Sequence, residues 1–216
     1  MFSGSLAVYD QRVKLGAEFG VAAFVLAGGK STRMGSDKAF LRLGDETLLS
    51  RALKTAGAVS ADVRIVGDAQ KFAAFGRVVE DVYRDRGPLG GIHAALSSTT
   101  TELNLMLAVD LPFVIPKFLK YLLGRTRESG AMVTVPRADS GLQPLCAVYR
   151  RGFAEIAEPS LREGKNRIDS LFAKVTTCVI EENELVRAGF SVVMFRNLNT
   201  PEEFDMARSQ HFGEMT

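Results

Sequence analysis

The sequence is poor in cysteine and histidine, the residues that build disulfide scaffolds and many metal sites. Its 216 residues include two cysteines, Cys146 and Cys178, and two histidines. Neither cysteine lies in a paired motif, and the histidines lack metal-ligand spacing. Two scattered thiols are typical of a reduced, cytoplasmic protein, although their number alone leaves a disulfide open.

Long apolar runs and a strong net charge are also absent. No apolar run reaches about 18 residues, the length that spans a bilayer, and residues 1–20 resemble neither a signal nor a transit peptide. A formal net charge of +2 is too close to neutral to favour nucleic acid or an acidic membrane surface as a partner. We therefore expect a cytoplasmic chain, with residues 1–20 as an N-terminal extension and residues 21–216 as a single domain.

What the sequence does contain is an alternation of strand and helix patterns. Val21 to Leu26 is a continuous apolar run, typical of a strand that is covered on both faces of a sheet. The alternation through the first 125 residues predicts an α/β fold, with a parallel sheet and helices on both faces. Strands are predicted over residues 21–26, 63–66, 77–80, 102–109, 131–135, 145–149 and 177–181. Helices are predicted over residues 48–58, 90–96, 116–123, 155–162 and 168–174, and from Thr200 onward.

A glycine-rich loop follows the first predicted strand. Ligands bind beyond the carboxyl ends of parallel strands, and glycines such as Gly28 and Gly29 let the backbone approach a phosphate there. Lys30, Arg33 and Lys38 add cations that suit a triphosphate, although a tight turn with solvated charges is the alternative. The loop matches neither the P-loop nor the dinucleotide fingerprint, which disfavours switch GTPases and simple dehydrogenases.

Two aspartates stand at the ends of other predicted strands. Asp110 follows an apolar strand and precedes Leu111-Pro112, and its carboxylate suits Mg²⁺ better than it suits a helix cap, because the next helix begins several residues later. Asp81 follows another strand, where a ligand contact and a solvated turn are equally compatible with its position. The Gly87–Gly91 helix start could likewise face an anion or be only a turn, and His93 is expected to be structural.

These residues belong to an ordered set of motifs that resembles the nucleotidyltransferase superfamily, and within it the molybdenum cofactor guanylyltransferases of the MobA type. In chain order, the motifs are Leu26-Ala-Gly-Gly29, Arg33-Met-Gly35, Asp37-Lys38, Glu80-Asp81, Gly87-Pro-Leu-Gly-Gly91, Asp110-Leu-Pro112, Gln143-Pro-Leu145 and Asn197-Leu-Asn-Thr-Pro-Glu202. Each is weak alone, but together they follow the family order from Val21 to Arg208.

The resemblance implies a Rossmann-like fold of the nucleotide-diphospho-sugar-transferase type and the transfer of GMP from GTP to molybdopterin or Mo-molybdopterin, with Mg²⁺ and release of pyrophosphate. It further implies molybdoenzymes and their chaperones as candidate partners of the product. The implied site residues are Leu26, Ala27, Gly28 and Asp81 for the nucleotide, Lys38 for the phosphates, Asp110 for nucleotide and metal, and Gln143, Pro144, Asn197 and Asn199 for the pterin. The chemistry of the loop adds Gly29 for the nucleotide and Arg33 for the phosphates.

The chain departs from the family pattern at Gly67, where relatives often carry an asparagine that contacts the nucleotide. That contact is then absent or made by Asp68. Glycine at position 28 favours GTP, because cytidylyl-transferring relatives tend to carry Ala-Ala-Gly in this loop. The alternatives are a cytidylyl- or other nucleotidyltransferase acting on a phosphorylated acceptor, and a non-catalytic nucleotide-binding protein.

Overall fold

The computed structural model describes residues 20–28, 37–138 and 141–198. Ten strands lie in these segments: β1 (Val21–Leu26), β2 (Arg42–Leu43), β3 (Glu46–Thr47), β4 (Asp62–Val66), β5 (Arg77–Val79), β6 (Leu103–Ala108), β7 (Val133–Ala138), β8 (Gly141–Leu142), β9 (Cys146–Arg150) and β10 (Thr177–Ile180). The α-helices are α1 (Leu48–Gly57), α2 (Ala69–Phe72), α3 (Gly87–Ser97), α4 (Pro116–Ser129), α5 (Phe153–Arg162), α6 (Asp169–Phe172) and α7 (Glu182–Arg187). Single 3-10 turns cover Lys38–Phe40 and Val192–Phe195.

The main sheet is mostly parallel. Its strand order is β10-β7-β9-β6-β1-β4-β5, and β8 lies off this path and pairs with the last two residues of β7. Along this path β9 is antiparallel to β6 and to β7, whereas the pairs β6–β1, β1–β4, β4–β5 and β7–β10 are parallel. The carboxyl ends of β1, β4, β5 and β6 therefore meet along one edge of the sheet, which is where an α/β sheet collects its ligands.

Strand β1 lies inside the sheet and is covered on both faces. Ala23 and Val25 belong to one hydrophobic cluster, and Ala22 and Phe24 belong to another, because side chains alternate between the faces of a strand. Helices α1, α4 and α7 contribute to the first cluster, and α3, α5 and α6 contribute to the second. Strand β1 is thus apolar along its whole length because both of its faces are buried, as the sequence pattern predicted.

The predicted strands are present, and their ends differ by a few residues. Helix α3 begins at Gly87, before the predicted start at residue 90. Helix α4 continues beyond the predicted end at residue 123 to Ser129, because its last turns bury Thr126 and because Gly130 ends the helix with φ 64. The helix predicted from Thr200 and nearly all of the predicted extension lie outside the described residues, so the predicted domain division stays a prediction.

None of the helices within the described segments combines the length and the apolar character needed to cross a membrane.

Candidate active site

The start of the glycine-rich loop is tied to the ends of two neighbouring strands. The backbone N–H groups of Ala27 and Gly28 both donate to the carbonyl oxygen of Val66 at 3.0 Å. The N–H of Val109 donates to the carbonyl oxygen of Leu26 at 3.1 Å. The loop therefore leaves the sheet between the ends of β4 and β6, with its first residues in fixed positions.

Gly28 approaches the next strand end closely. A Cβ atom at Gly28 would lie 3.7 Å from the Cα of Gly67, and one at Gly67 would lie 2.8 Å from Cε2 of Phe72. The Phe72 ring, which is buried, thus fills the space that a side chain at position 67 would need. Asp68 is the residue that could replace the asparagine contact missing at position 67. Its carboxylate caps α2 by accepting the N–H of Gln70 at 2.8 Å.

Lys38 and Asp110, predicted separately from two loops, meet at this edge of the sheet. Lys38 Nζ lies 3.2 Å from Asp110 Oδ2, and their side chains are 16% and 24% exposed. The 3-10 turn that carries Lys38 is capped by Asp37, which accepts the N–H of Ala39 at 3.2 Å. Lys71 of α2 holds the other oxygen of Asp37 at 3.0 Å. Lys71 lies in none of the sequence motifs, because an ion pair across 34 positions leaves no local pattern.

As the sequence predicted, Asp110 does not cap the following helix. The N-cap of α4 is Ile115, which has no side-chain capping bond. The backbone carbonyl oxygen of Asp110 instead accepts the N–H of Leu198 at 3.2 Å. That bond brings the exposed Asn197 to the same strand end as Asp110. The carboxylate of Asp110 remains available to Lys38 and to a ligand.

Asp81 lies against the first turns of α3. Cβ atoms at Gly90 and Gly91 would come within 3.8 Å and 3.6 Å of its two carboxylate oxygens, so the small residues leave room for the carboxylate. Burial raises the pKa of Asp81 above its ordinary value. No residue in the described segments donates a hydrogen bond to this carboxylate. A half-buried acid without a donor is compatible with a ligand hydroxyl or amine as its partner.

The Gln143–Leu145 segment stands beside the end of β6. The N–H of Ala108 donates to the carbonyl oxygen of Leu145 at 2.8 Å, and the hydroxyl of the buried Tyr149 donates to the carbonyl oxygen of Pro144 at the same distance. Gln143 and Pro144 are themselves half-buried. The structure thus places Gln143 and Pro144 close to β6, the strand that precedes Asp110.

Three predicted site residues, Gly29, Arg33 and Asn199, lie outside the described segments, as does Lys30. His93 is buried on α3, with Nε2 3.5 Å from the Ser97 hydroxyl and its ring edge-on to Tyr83 at 5.2 Å between centroids. Desolvation lowers the pKa of His93. These contacts agree with the structural role expected from the sequence.

The start of the glycine-rich loop, Lys38 and Asp110 thus stand together at the carboxyl edge of an α/β sheet, an arrangement compatible with a nucleotidyltransferase. The model of the MobA-like NTP transferase domain matches residues 23–178. The chain belongs to this family and is a nucleotidyltransferase enzyme.

Individual relatives agree with this assignment. A protein of Pelotomaculum thermopropionicum, named "Probable molybdenum cofactor guanylyltransferase", is 37% identical over 186 residues, which cover 85% of this chain and 90% of the relative. The "Molybdenum cofactor guanylyltransferase" of Desulfosudis oleivorans is 34% identical, over 88% of this chain and 95% of the relative. The crystal structure of molybdopterin-guanine dinucleotide biosynthesis protein A from Archaeoglobus fulgidus shares the fold, with a TM-score of 0.79 and 24% identity over 89% of this chain and 99% of that one.

Proposed function

We propose that this chain transfers GMP from GTP to molybdopterin, or to its molybdenum-loaded form, and releases pyrophosphate. The names of the relatives that are 37% and 34% identical support guanylyl transfer in molybdenum cofactor biosynthesis. The observation that carries the proposal is the ion pair of Lys38 and Asp110 beside the loop that begins at Ala27. A cation for phosphates and an acid for a metal then stand at one strand end.

In this proposal the nucleotide lies across the carboxyl edge of the sheet. Leu26, Ala27, Gly28 and Gly29 bind it through the loop backbone, and Asp81 accepts a hydrogen bond from it. Lys38, Asp110 and Arg33 lie at the phosphates. The acceptor lies on the side of Gln143, Pro144, Asn197 and Asn199.

The donor set at the strand end fits Mg²⁺ as the metal. The described segments contain no group of three or more His, Cys, Asp or Glu side chains that could hold a metal by themselves. Mg²⁺ commonly takes only one or two carboxylates and completes its shell with substrate phosphates and water. Asp110 supplies one such hard oxygen ligand, and the bound metal would supply charge neutralisation at the phosphate oxygens.

The reaction needs positioning and charge stabilisation more than a protein nucleophile. An oxygen of the acceptor's phosphate forms a bond to the α-phosphorus of GTP, while the bond from that phosphorus to the β-phosphate oxygen breaks and pyrophosphate leaves. The acceptor phosphate is already ionised at neutral pH, so no general base is required. Lys38 exchanges its contact with Asp110 for the phosphates and stabilises the charge that develops on them.

Asp110→Asn tests the proposal, because it keeps the shape of the side chain and removes the charge. We expect the rate of pyrophosphate release with GTP, Mg²⁺ and molybdopterin to fall by a few orders of magnitude. A loss of this size corresponds to the several kcal/mol by which a bound metal lowers the activation free energy. Raising the Mg²⁺ concentration should restore part of the activity. Thermal unfolding without ligand should match the parent, since Asp110 is partly exposed and does not cap a helix.

Asp45→Asn is the matched control, because Asp45 is an exposed acid in the turn between β2 and β3. It should leave turnover unchanged. The proposed role of Asp110 is overturned if Asp110→Asn unfolds the protein or reacts normally at low Mg²⁺. The proposed reaction is overturned if the parent protein releases no pyrophosphate from GTP in the presence of molybdopterin.

A further inference from the structure

The loop between β5 and α3 is held from two sides by Tyr83. Its ring packs edge-on against His93 of α3, and its hydroxyl donates to Glu158 of α5 at 3.1 Å. Arg162, also on α5, approaches the same hydroxyl at 3.4 Å. The carbonyl oxygen of Tyr83 lies so close to Gly90 that a Cβ there would stand only 2.9 Å away. The residues that follow Asp81 are therefore fixed between the two helices.

Arg86 ends this loop and is positioned by a glycine of another segment. Gly164, in the turn after α5, has φ +77, and a Cβ at this position would lie 3.2 Å from Nη1 of Arg86 and 3.8 Å from Cζ. The guanidinium thus occupies space that the absence of a side chain at Gly164 leaves open. Arg86 is half-buried, in contrast to Arg84 two positions earlier, which is exposed.

The guanidinium of Arg86 has no acidic partner within the described segments. Three other buried or half-buried arginines have one: Arg64 lies 2.6 Å from Asp62, Arg125 lies 2.8 Å from Glu184, and Arg150 lies 3.0 Å from Glu102. Holding a partly desolvated charge in place without a counter-ion is costly, and an anionic ligand removes that cost.

We propose that Arg86, held against Gly164, binds a phosphate group of a substrate, an inference that rests on the proposed transfer reaction. A guanidinium binds phosphate oxygens through paired, charge-assisted hydrogen bonds. The loop that ends at Arg86 begins at Asp81, so the charge stands at the edge of the sheet that carries the site. The phosphate is either part of the nucleotide triphosphate or the phosphate of the acceptor.

Arg86→Gln and the matched control Arg84→Gln test the proposal, since both remove one positive charge from the same loop. Two constants are measured in each variant: the Kd of GTP with Mg²⁺, from thermal shift or calorimetry, and the KM of molybdopterin, from pyrophosphate release. Arg86→Gln should raise one of them by about ten- to a hundredfold, the effect of losing a hydrogen bond to a charged group. Arg84→Gln should change each less than twofold, and Arg86→Lys should recover part of the loss.

The two constants identify the source of the phosphate. A weaker Kd of GTP assigns Arg86 to the nucleotide triphosphate, and a raised KM of molybdopterin with an unchanged Kd of GTP assigns it to the acceptor. Gly164→Ala keeps the charge of Arg86 but should move it, because the new methyl group would lie 3.2 Å from Nη1 and because alanine is strained at φ +77. It should change the same constant in the same direction. The proposal is overturned if Arg86→Gln changes neither constant more than Arg84→Gln does.

Failure of the Arg86 proposal can be distinguished from failure of the proposed function. If CTP replaces GTP as the substrate, the guanylyl assignment fails, and the same comparison of Arg86→Gln with Arg84→Gln is made with CTP. Thermal unfolding of each variant without ligand identifies loss of fold. Where Arg86→Gln is unstable, Arg86→Met replaces it, because methionine keeps the apolar part of the side chain and lacks the charge. A KM and a Kd equal to those of the parent then overturn the phosphate contact.

Discussion

Burial and ion pairing shift the pKa values of two acids of this chain in opposite directions. The Asp81 carboxylate is partly desolvated and has no donor among the described residues, so its pKa is raised. Asp62 accepts hydrogen bonds from Arg64 at 3.0 Å and 2.6 Å, which lower its pKa. The first arrangement costs stability and the second supplies it, which is typical of a ligand-facing acid and a structural one.

Asp81→Asn should therefore raise the thermal stability of the ligand-free protein at neutral pH. Because the folded-state pKa of Asp81 lies above its unfolded value, the folded protein loses stability as the pH rises through the interval between these two values. The gain from Asp81→Asn should disappear below the ordinary pKa of about 3.9. The same variant should bind GTP with Mg²⁺ about tenfold more weakly. Unfolding midpoints and GTP titrations across pH measure both effects.

Asp62→Asn provides the comparison with the opposite sign. Its folded-state pKa is lowered, so its contribution to stability is present above the unfolded pKa and is lost as the pH falls through the folded value. This variant should be less stable than the parent at pH 7 and should bind GTP normally. Equal effects of the two substitutions on stability would contradict the assignment of a ligand-facing role to Asp81.

Site residues could be predicted from the sequence where they directly follow an apolar strand. Asp81 and Asp110 follow apolar runs, and parallel strands bring such residues to one edge, so their common location followed from the sequence. The 3.2 Å contact between Lys38 and Asp110 could not be predicted from the sequence, since it depends on how the 3-10 turn that carries Lys38 is anchored. Lys71 anchors that turn through Asp37, and a distant ion pair has no sequence signature.

At the scale of elements, length decided what the sequence could predict. The long helices and the buried strands show their period clearly, and all of them were predicted. The β2–β3 hairpin, β8, α2 and α7 were not predicted; they have between two and six residues each, too few for a period to be recognised clearly. Their positions depend on contacts made in the folded chain, as when Thr47 ends the hairpin and accepts the N–H of Ser50 to cap α1.

Helix α2 gives a prediction about the glycine that faces it. In Gly67→Ala, the methyl group would lie 2.8 Å from Cε2 of Phe72 and 3.4 Å from the backbone nitrogen of Gly28. Phe72 is only 1% exposed, so its ring or the whole of α2 must shift within the core. We expect a loss of about 1–3 kcal/mol in the free energy of unfolding, the usual cost of overpacking. Stabilisation by GTP should fall as well, because Gly28 lies in the nucleotide loop of the proposal.

Gly124→Ala is the control for this substitution. Gly124 lies inside α4, and a Cβ there would meet nothing within 4 Å, so alanine should add about 0.5–1 kcal/mol of stability through its better helix propensity. Adding Phe72→Leu to Gly67→Ala should restore part of the lost stability. Denaturant unfolding of the four proteins measures these differences, and a neutral Gly67→Ala would contradict the close packing of α2 on the loop.

At the scale of the whole molecule, the candidate site joins distant parts of the chain. In the proposed function, the ends of β1, β4, β5 and β6 carry its nucleotide side, and the segment before β9 carries its acceptor side. The parallel half of this sheet was predicted from the alternation of strands and helices. The reversed direction of β9 was not, because its pattern resembles that of any buried strand and a direction leaves no mark on hydrophobicity.

A ligand bound across these strand ends should stabilise the entire fold, and the choice of nucleotide should be visible in that stabilisation. A ligand at about 100 times its Kd adds roughly 2.7 kcal/mol to the free energy of unfolding if it binds only the folded chain. For a chain of this size, each kcal/mol corresponds to about 2–4 °C, so GTP with Mg²⁺ should raise the Tm by about 5–10 °C.

CTP, ATP and UTP at the same concentration should raise the Tm less, and omission of Mg²⁺ should reduce the effect of GTP. Asp110→Asn should reduce the dependence on Mg²⁺ in particular, because its carboxylate is the metal ligand of the proposal, whereas Asp45→Asn should behave as the parent. Stabilisation by CTP that equals or exceeds that by GTP would contradict guanylyl transfer and leave the nucleotidyltransferase assignment in place. If no nucleotide raises the Tm with or without Mg²⁺, the site at the carboxyl edge of the sheet is wrong.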